Sequence, residues 1–275
     1  MVDQIPWGQW AEGLVDVVKD NFDPVLDLMH DSLSGMVDFT LAVMTALPDL
    51  AMILVIGIIA LLLTRKIMLS ISIGLALLII WNMGLWDLSM LTLTLVIVSA
   101  LISLLFGIPL GIIAAKNDRL NSFMRIILDF MQTMPSFVYL IPVVILFRLG
   151  NVPGIIATVI FAIPPVVRFT DLGIREVAKE LREVADSFGT TWIQKLFKVE
   201  LPMAKPTIMA GINQCIMLSL SMVVIASMIG AAGLGRNVLI AIQRVDVALG
   251  FEAGLAVVII AIILDRITQG VGSKQ

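Results

Sequence analysis

From Leu47 onward the chain runs in long apolar stretches broken by short polar gaps, rather than in alternating stripes. A helix needs about 20 largely apolar residues to cross a hydrocarbon core. At that length the stretches give about seven candidate spans, at 47–64, 67–86, 88–115, 123–147, 152–170, 206–230 and 247–266. Asp129, Pro135 and Pro142 interrupt the fourth. The predicted fold class is therefore an all-α membrane protein.

Two segments depart from this pattern. Before Leu47, Leu14, Val17, Val18, Phe22, Val25, Leu26 and Met29 recur at helical spacing, opposite Asp16, Lys19, Asp20, Asp23 and Asp27. Trp7 and Trp10 precede them. The pattern predicts an amphipathic helix in the membrane surface with tryptophans at headgroup depth. Pro24 is expected to interrupt or begin that helix. A solvated acidic tail is the alternative.

The second segment lies between the fifth and sixth apolar stretches. In Arg175–Phe188, Val177, Leu181, Val184, Ala185 and Phe188 share one helical face, and charged residues cover most of the rest. Gly189 is a good terminator, because it adopts the left-handed conformation without a Cβ clash. Thr191 and Gln194 have the spacing of a capping box. The short helix that follows presents Trp192, Ile193, Leu196 and Phe197, and Leu201-Pro202 is expected to end the unit. Two short amphipathic helices joined by a glycine make a rigid knob with an apolar tip. An ordinary loop lying on the membrane has the same composition.

Charge orients the spans. Before residue 50 there are nine acids and one base, Lys19, whereas bases crowd 168–205. Placing 171–205 in the cytoplasm puts Arg65, Lys66, Lys116, Arg119, Arg125, Arg266 and Lys274 on the same side, as positively charged loops require. The predicted N-terminus is outside and the C-terminus inside. Arg236 and Arg244 are mild exceptions. Asp129, an ionisable group near or within a span, is a functional candidate or, one turn from Arg125, half of a structural ion pair near the cytoplasmic boundary. Asp171 after Arg168 and Asp265 beside Arg266 are expected to be interfacial anchors.

Composition adds exclusions. The chain is 59% hydrophobic and 14% charged, too apolar to keep its surface in water. No basic patch with interleaved aromatics suggests nucleic acid. One cysteine, Cys215, rules out an internal disulfide, and His30 has no nearby ligand for a metal site. No GxxxxGK[ST] loop is present to cradle ATP, so catalytic residues are not expected.

Residues 183–202 resemble the signature of permease subunits of bacterial ABC importers: Glu-Ala-Ala, three residues, Gly, nine residues, then Ile-x-Leu-Pro. Here Glu183, Val184, Ala185, Gly189, Val199, Leu201 and Pro202 stand at those positions, with conservative departures at Val184 and Val199. DFMQTMPSFVYLIP (129–142), GNVPG (150–154), FAIPPVVR (161–168), PTIMAG (206–211), LSMVVIASMIG (220–230) and AIILDR (261–266) look like the permease of glycine betaine/proline betaine importers.

The resemblance implies a type I ABC importer in a bacterial cytoplasmic membrane. Two permease copies would pair around a path, each docking its knob on a cytosolic ABC ATPase that uses ATP and Mg. An extracytoplasmic binding protein would deliver substrate. The coupling residues it implies are Glu183, Ala185, Gly189, Trp192, Leu196, Leu201 and Pro202. The organisation it implies is an acidic outer segment (1–46), two peripheral helices (47–86), a permease core (87–268) with coupling segment 175–202, and a short cytoplasmic tail (269–275).

Aromatic faces attract quaternary ammonium groups by roughly 0.5–2 kcal/mol. Met134, Pro135, Phe137 and Tyr139, with Ser221 and Met222 of the sixth stretch, are therefore candidates to line the path. Plain helix packing is the other reading of these residues. Choline, carnitine or an amino acid are alternative solutes. A secondary transporter, which calls for membrane-embedded ion-coupling groups and inverted repeats, is one alternative class; an osmosensing channel, which does not explain the 183–202 unit, is another.

Overall fold

The computed structural model describes residues 7–272, apart from the side chains of residues 7–9, 11, 14 and 18. The side chains of Trp7, Leu14 and Val18, and Lys274, thus lie outside the described residues. Among the described residues the chain forms twelve α-helices. These are α1 (Trp7–Met44), α2 (Asp49–Thr64), α3 (Ile67–Asn82), α4 (Trp86–Lys116), α5 (Asp118–Thr133), α6 (Ser136–Phe147), α7 (Asn151–Arg175), α8 (Lys179–Ser187), α9 (Trp192–Lys195), α10 (Leu201–Ala226), α11 (Leu234–Arg244) and α12 (Val247–Gly272).

Helices α4, α7 and α10 form the centre, with α12 against α10. Small residues let α4 and α7 approach. A Cβ on Gly107 would stand 2.8 Å from Val166, and one on Gly111 would stand 2.5 Å from Thr170. The small-xxx-small spacing of these glycines is thus a helix contact. Trp86, Met90, Leu95, Val98, Ile155, Leu220, Val223 and Leu234 fill the core between the central helices. Helices α2 and α3 pack on each other beside α12.

Length and apolarity bear out only part of the count of seven spans. Four helices or continuous helical stretches are individually long and apolar enough to cross: Trp86–Lys116, Asn151–Arg175, Trp192–Ile229 and Val247–Gly272. Two bent pairs raise the number to six, Lys19–Met44 with Asp49–Thr64 at 97° and Asp118–Thr133 with Ser136–Phe147 at 96°. The stretch at 67–86 is a shorter apolar helix, Ile67–Asn82. The expected fourth span is two helices at nearly a right angle. Pro135 sits at the break in extended conformation (φ −55°, ψ 135°), where it cannot continue α5. α5 is amphipathic and α6 apolar, so only α6 reads as buried-span sequence.

Helix α1 also departs from expectation. Pro24 neither interrupts nor begins it but lies within it, and the helix runs on to Met44. Pro24 is exposed, so the carbonyl left without a donor one turn back stays near the surface. Leu26 packs with Val143, Phe147 and Val152, which fastens α1 to one end of α6 and α7. Phe22, Val25 and Leu28 remain exposed apolar residues, and the side chain of Trp10 is exposed too. An amphipathic helix with an uncovered apolar face suits a membrane surface.

Candidate functional site

The knob forms as its local chemistry dictates. Gly189 ends α8 at φ 71°, in the left-handed region. The Thr191 hydroxyl accepts from the Gln194 N–H at 3.3 Å, and the Gln194 side-chain carbonyl accepts from the Thr191 N–H at 2.9 Å. That is the expected capping box. Lys195 donates to Asp186 at 2.7 Å, tying α9 back onto α8. The Lys179–Glu183 pair, by contrast, has both side chains largely exposed and contributes little, about 0–1 kcal/mol.

The expected apolar face of α8 divides in two. Val177 and Ala185 are buried against the body, while Leu181, Val184 and Phe188 face outward. In α9 and the turn after it, Leu196 is buried with Ile174, Ala204 and Ile208. Trp192, Ile193 and Phe197 are exposed. Phe188 is 83% exposed, an unusual position for a large apolar side chain outside the membrane stretches. Of the expected coupling residues, Ala185 and Leu196 therefore hold the knob from inside. Glu183 and Trp192 lie on its surface beside Val184, Phe188 and Ile193.

Leu201-Pro202 does not stop the unit. A π-helical turn over Leu196–Glu200 carries the chain directly into α10, with the Leu201 N–H donating to the Leu196 carbonyl. Pro202 lies in the first turn of α10. The helix is continuous there, so the N–H that Pro202 lacks leaves a carbonyl of the preceding turn without its helical donor, while the wider π turn leaves room for the ring. α9, the π turn and α10 are thus one continuous helical stretch.

Beneath the knob lies a polar network that sequence patterning did not single out. Glu200 is 1% exposed and is paired with Lys116 at the end of α4. Its other oxygen lies 3.7 Å from Nε of Arg182 in α8, an ion-pair distance. Arg182 also donates to the Ile174 and Arg175 carbonyls at the end of α7. Arg175 donates to Asp171 at 2.7 Å, to Asp118 at 2.6 Å and to the Ala114 carbonyl at 2.9 Å. Asn121 of α5 donates to both oxygens of Asp171, at 2.9 and 2.8 Å.

Three sequence expectations change here. Asp171 is buried between helices rather than an interfacial anchor. Asp129 pairs with Arg168 of α7, not with Arg125 one turn away. Asp265, 4.0 Å from Arg266, also accepts from Asn213 at 3.1 Å and so links α12 to α10. Asp129, Arg168, Asp171 and Arg175 line a cleft of about 370 Å³ between α5 and α7.

The expected path residues separate into two groups. Tyr139 and Met222 are buried in one cluster with Ala157 and Ala226, and Met134 packs against it. Tyr139 and Phe161 rings lie 6.5 Å apart at 58°. Phe137 and Ser221 are exposed, and Pro135 marks the α5–α6 break. A cavity of about 670 Å³ between α1 and α6 is lined by Met134 and Tyr139, along with Glu12 and Asp16. Ser221 and Met222 do not reach it.

This architecture has relatives. A family model described as the binding-protein-dependent transport system inner membrane component matches residues 107–273. The chain is 50% identical to the glycine betaine/carnitine transport permease protein GbuB of Listeria monocytogenes, covering 99% of this chain and 98% of that protein. It is 43% identical to the glycine betaine transport system permease protein OpuAB of Bacillus subtilis, over 99% of this chain and 96% of that one. Identity to the glycine betaine/proline betaine transport system permease protein ProW of Escherichia coli is 44%, over 98% of this chain and 75% of that protein. Among solved structures, an inward-facing conformation of the MetNI methionine ABC transporter matches with a TM-score of 0.59 at 21% identity, covering 66% of this chain and 92% of that chain. That likeness shows the fold. With a family match over most of its length and relatives aligned from end to end, the chain belongs to the binding-protein-dependent transport system inner membrane components, as a multi-pass permease subunit of an ABC transporter rather than an enzyme.

Proposed function

We propose that this protein is the permease of an ATP-driven importer of quaternary-amine osmolytes, with glycine betaine or proline betaine as the type of cargo. The observation that carries the cargo is similarity, over 98–99% of this chain, to permeases named for glycine betaine in three bacteria. Choline, carnitine or an amino acid is the second reading, and the naming of one relative for carnitine favours testing it.

In this reading two copies pair around the path, and each offers its knob to a cytosolic ABC ATPase that binds ATP and Mg. Glu183, Gly189 and Trp192 shape the docking face, Ala185 and Leu196 pack it onto the body, and Leu201 and Pro202 join it to α10. ATP-driven closure of the ATPases brings the knobs together. The continuous helical stretch from α9 into α10 supports a direct mechanical route into the core. The extracytoplasmic binding protein delivers substrate at the opposite face.

The N-terminus lies outside and the C-terminus inside. Seven crossings follow if α2, α3 and the bent α5–α6 pair each traverse the bilayer and α1 lies in the outer surface. The regions at 1–46, 47–86, 87–268 and 269–275 then serve as surface segment, peripheral hairpin, transport core and tail. Met134, Pro135, Phe137, Tyr139, Ser221 and Met222 border the path. Tyr139 and Met134 beside the carboxylates of Glu12 and Asp16 supply the groups a trimethylammonium ion favours.

The test is uptake by proteoliposomes containing the permease, its ATPase and its binding protein. Glycine betaine is expected to accumulate on ATP addition and proline betaine to compete with it. Accumulation of an amino acid but no quaternary amine contradicts the assignment. Phe137→Ala and Tyr139→Ala are each expected to slow uptake several-fold, and normal rates in both remove these residues from the path.

A further inference from the structure

Glu200 stands out as a fully buried carboxylate in a chain whose other charges mostly reach the surface. It occupies the last position of the π turn, where the knob becomes α10. Its two cations come from different elements: Lys116 from the last residue of α4 and Arg182 from the middle of α8. Their side chains are 26% and 31% exposed, so each has some access to water, whereas the carboxylate has almost none.

The group therefore depends on its partners more than they depend on it. A buried charge without a counter-charge is strongly disfavoured. Any displacement of α8 away from α10 pulls Arg182 from Glu200 and from the α7 carbonyls at Ile174 and Arg175. Any displacement of α4 pulls Lys116 away. A pair with its carboxylate buried resists such separation better than the exposed pairs on the knob surface do.

We propose that Glu200 is a positioning residue for energy coupling: with Lys116 and Arg182 it clamps the knob to α4, α7 and α10, so that the four elements move as one body. The carboxylate touches neither ATP nor solute. Its role is to convert motion of the knob into motion of the core helices instead of into bending at the knob's root. This rests on the reading that the knob docks an ATPase, and goes beyond it in naming the joint.

The test uses the full complex of permease, ATPase and binding protein in proteoliposomes, with ATP hydrolysed per solute taken up as the readout. Glu200→Gln keeps the shape and removes the charge. The ATPase is expected to co-purify in wild-type amount, while ATP consumed per solute rises several-fold. Lys116→Met, at a partner more accessible than Glu200 itself, is expected to act alike, and Lys116→Arg to keep the wild-type ratio.

An unchanged ratio in Glu200→Gln with the ATPase bound overturns the proposal. So does loss of ATPase binding in proportion to lost uptake, which marks a purely structural role. If Glu200→Gln does not fold, Lys116→Met decides, and an unchanged ratio there overturns the joint equally. Failure of the docking reading itself would look different: Phe188→Asp and Trp192→Asp, on the exposed face of the knob, would both leave the ATPase bound.

Discussion

At the scale of single residues, the knob depends on two local devices. Losing the Thr191 cap costs a helix about 1 kcal/mol. Thr191→Ala is accordingly expected to raise amide exchange at 192–198 about fivefold, measured by hydrogen–deuterium exchange, with exchange in α7 unchanged. Gly111 makes the opposite kind of demand. A Cβ there would meet Thr170 and the Val167 carbonyl, both in α7. Gly111→Leu should lower the melting temperature of the purified permease or abolish its folding, since overpacking costs typically 1–3 kcal/mol. A melting temperature equal to the parent's would mean that α4 and α7 do not meet at this glycine. The two devices of the knob were legible in the sequence because each depends on neighbours a few positions away: a glycine after an amphipathic run, a threonine three residues before a glutamine. Glu200 was not. A glutamate in an amphipathic segment reads as a solvated surface residue, and Lys116 lies 84 positions away. Asp129 was misread for the same reason, since Arg125 is its neighbour in sequence and Arg168 its neighbour in space.

At the scale of elements, the knob divides its apolar residues between two jobs that helical periodicity does not distinguish. Ala185 and Leu196 are enclosed, while Val184, Phe188, Trp192 and Ile193 are uncovered. Aromatic side chains at the centre of an interface often carry 2 kcal/mol or more each, about a 30-fold change in affinity. Phe188→Asp and Trp192→Asp should therefore each remove the ATPase from the purified complex while leaving the permease monodisperse and its melting temperature within a few degrees. Retention of the ATPase by both variants would place the docking surface elsewhere. The helices that escaped the sequence reading share one cause: hydropathy averaged over a span-length window conceals breaks and hides joins. Residues 123–147 average to one crossing although Pro135 turns the chain through 96°. Leu201-Pro202 resembles a stop although the π turn before it absorbs the proline.

At the scale of the whole molecule, charge asymmetry and the arrangement of helices support one orientation. The acidic α1 fastens to the start of α7 through Leu26 and Val152, and the knob hangs from its end at Arg175. The two features thus sit at opposite ends of the central bundle. With the native Cys215 replaced by serine, a cysteine at Asp31 should react with a membrane-impermeant maleimide in intact cells. A cysteine at Ser187 should react only after permeabilisation. The reverse pattern inverts the molecule and excludes the knob from the cytosol. The central claim, that this permease takes its driving force through the knob from a separate ATPase, is tested most directly by ATP-dependent glycine betaine uptake in proteoliposomes assembled with and without that ATPase. Uptake that requires the ATPase and is lost in Trp192→Asp is the predicted result; equal uptake without the ATPase contradicts the account.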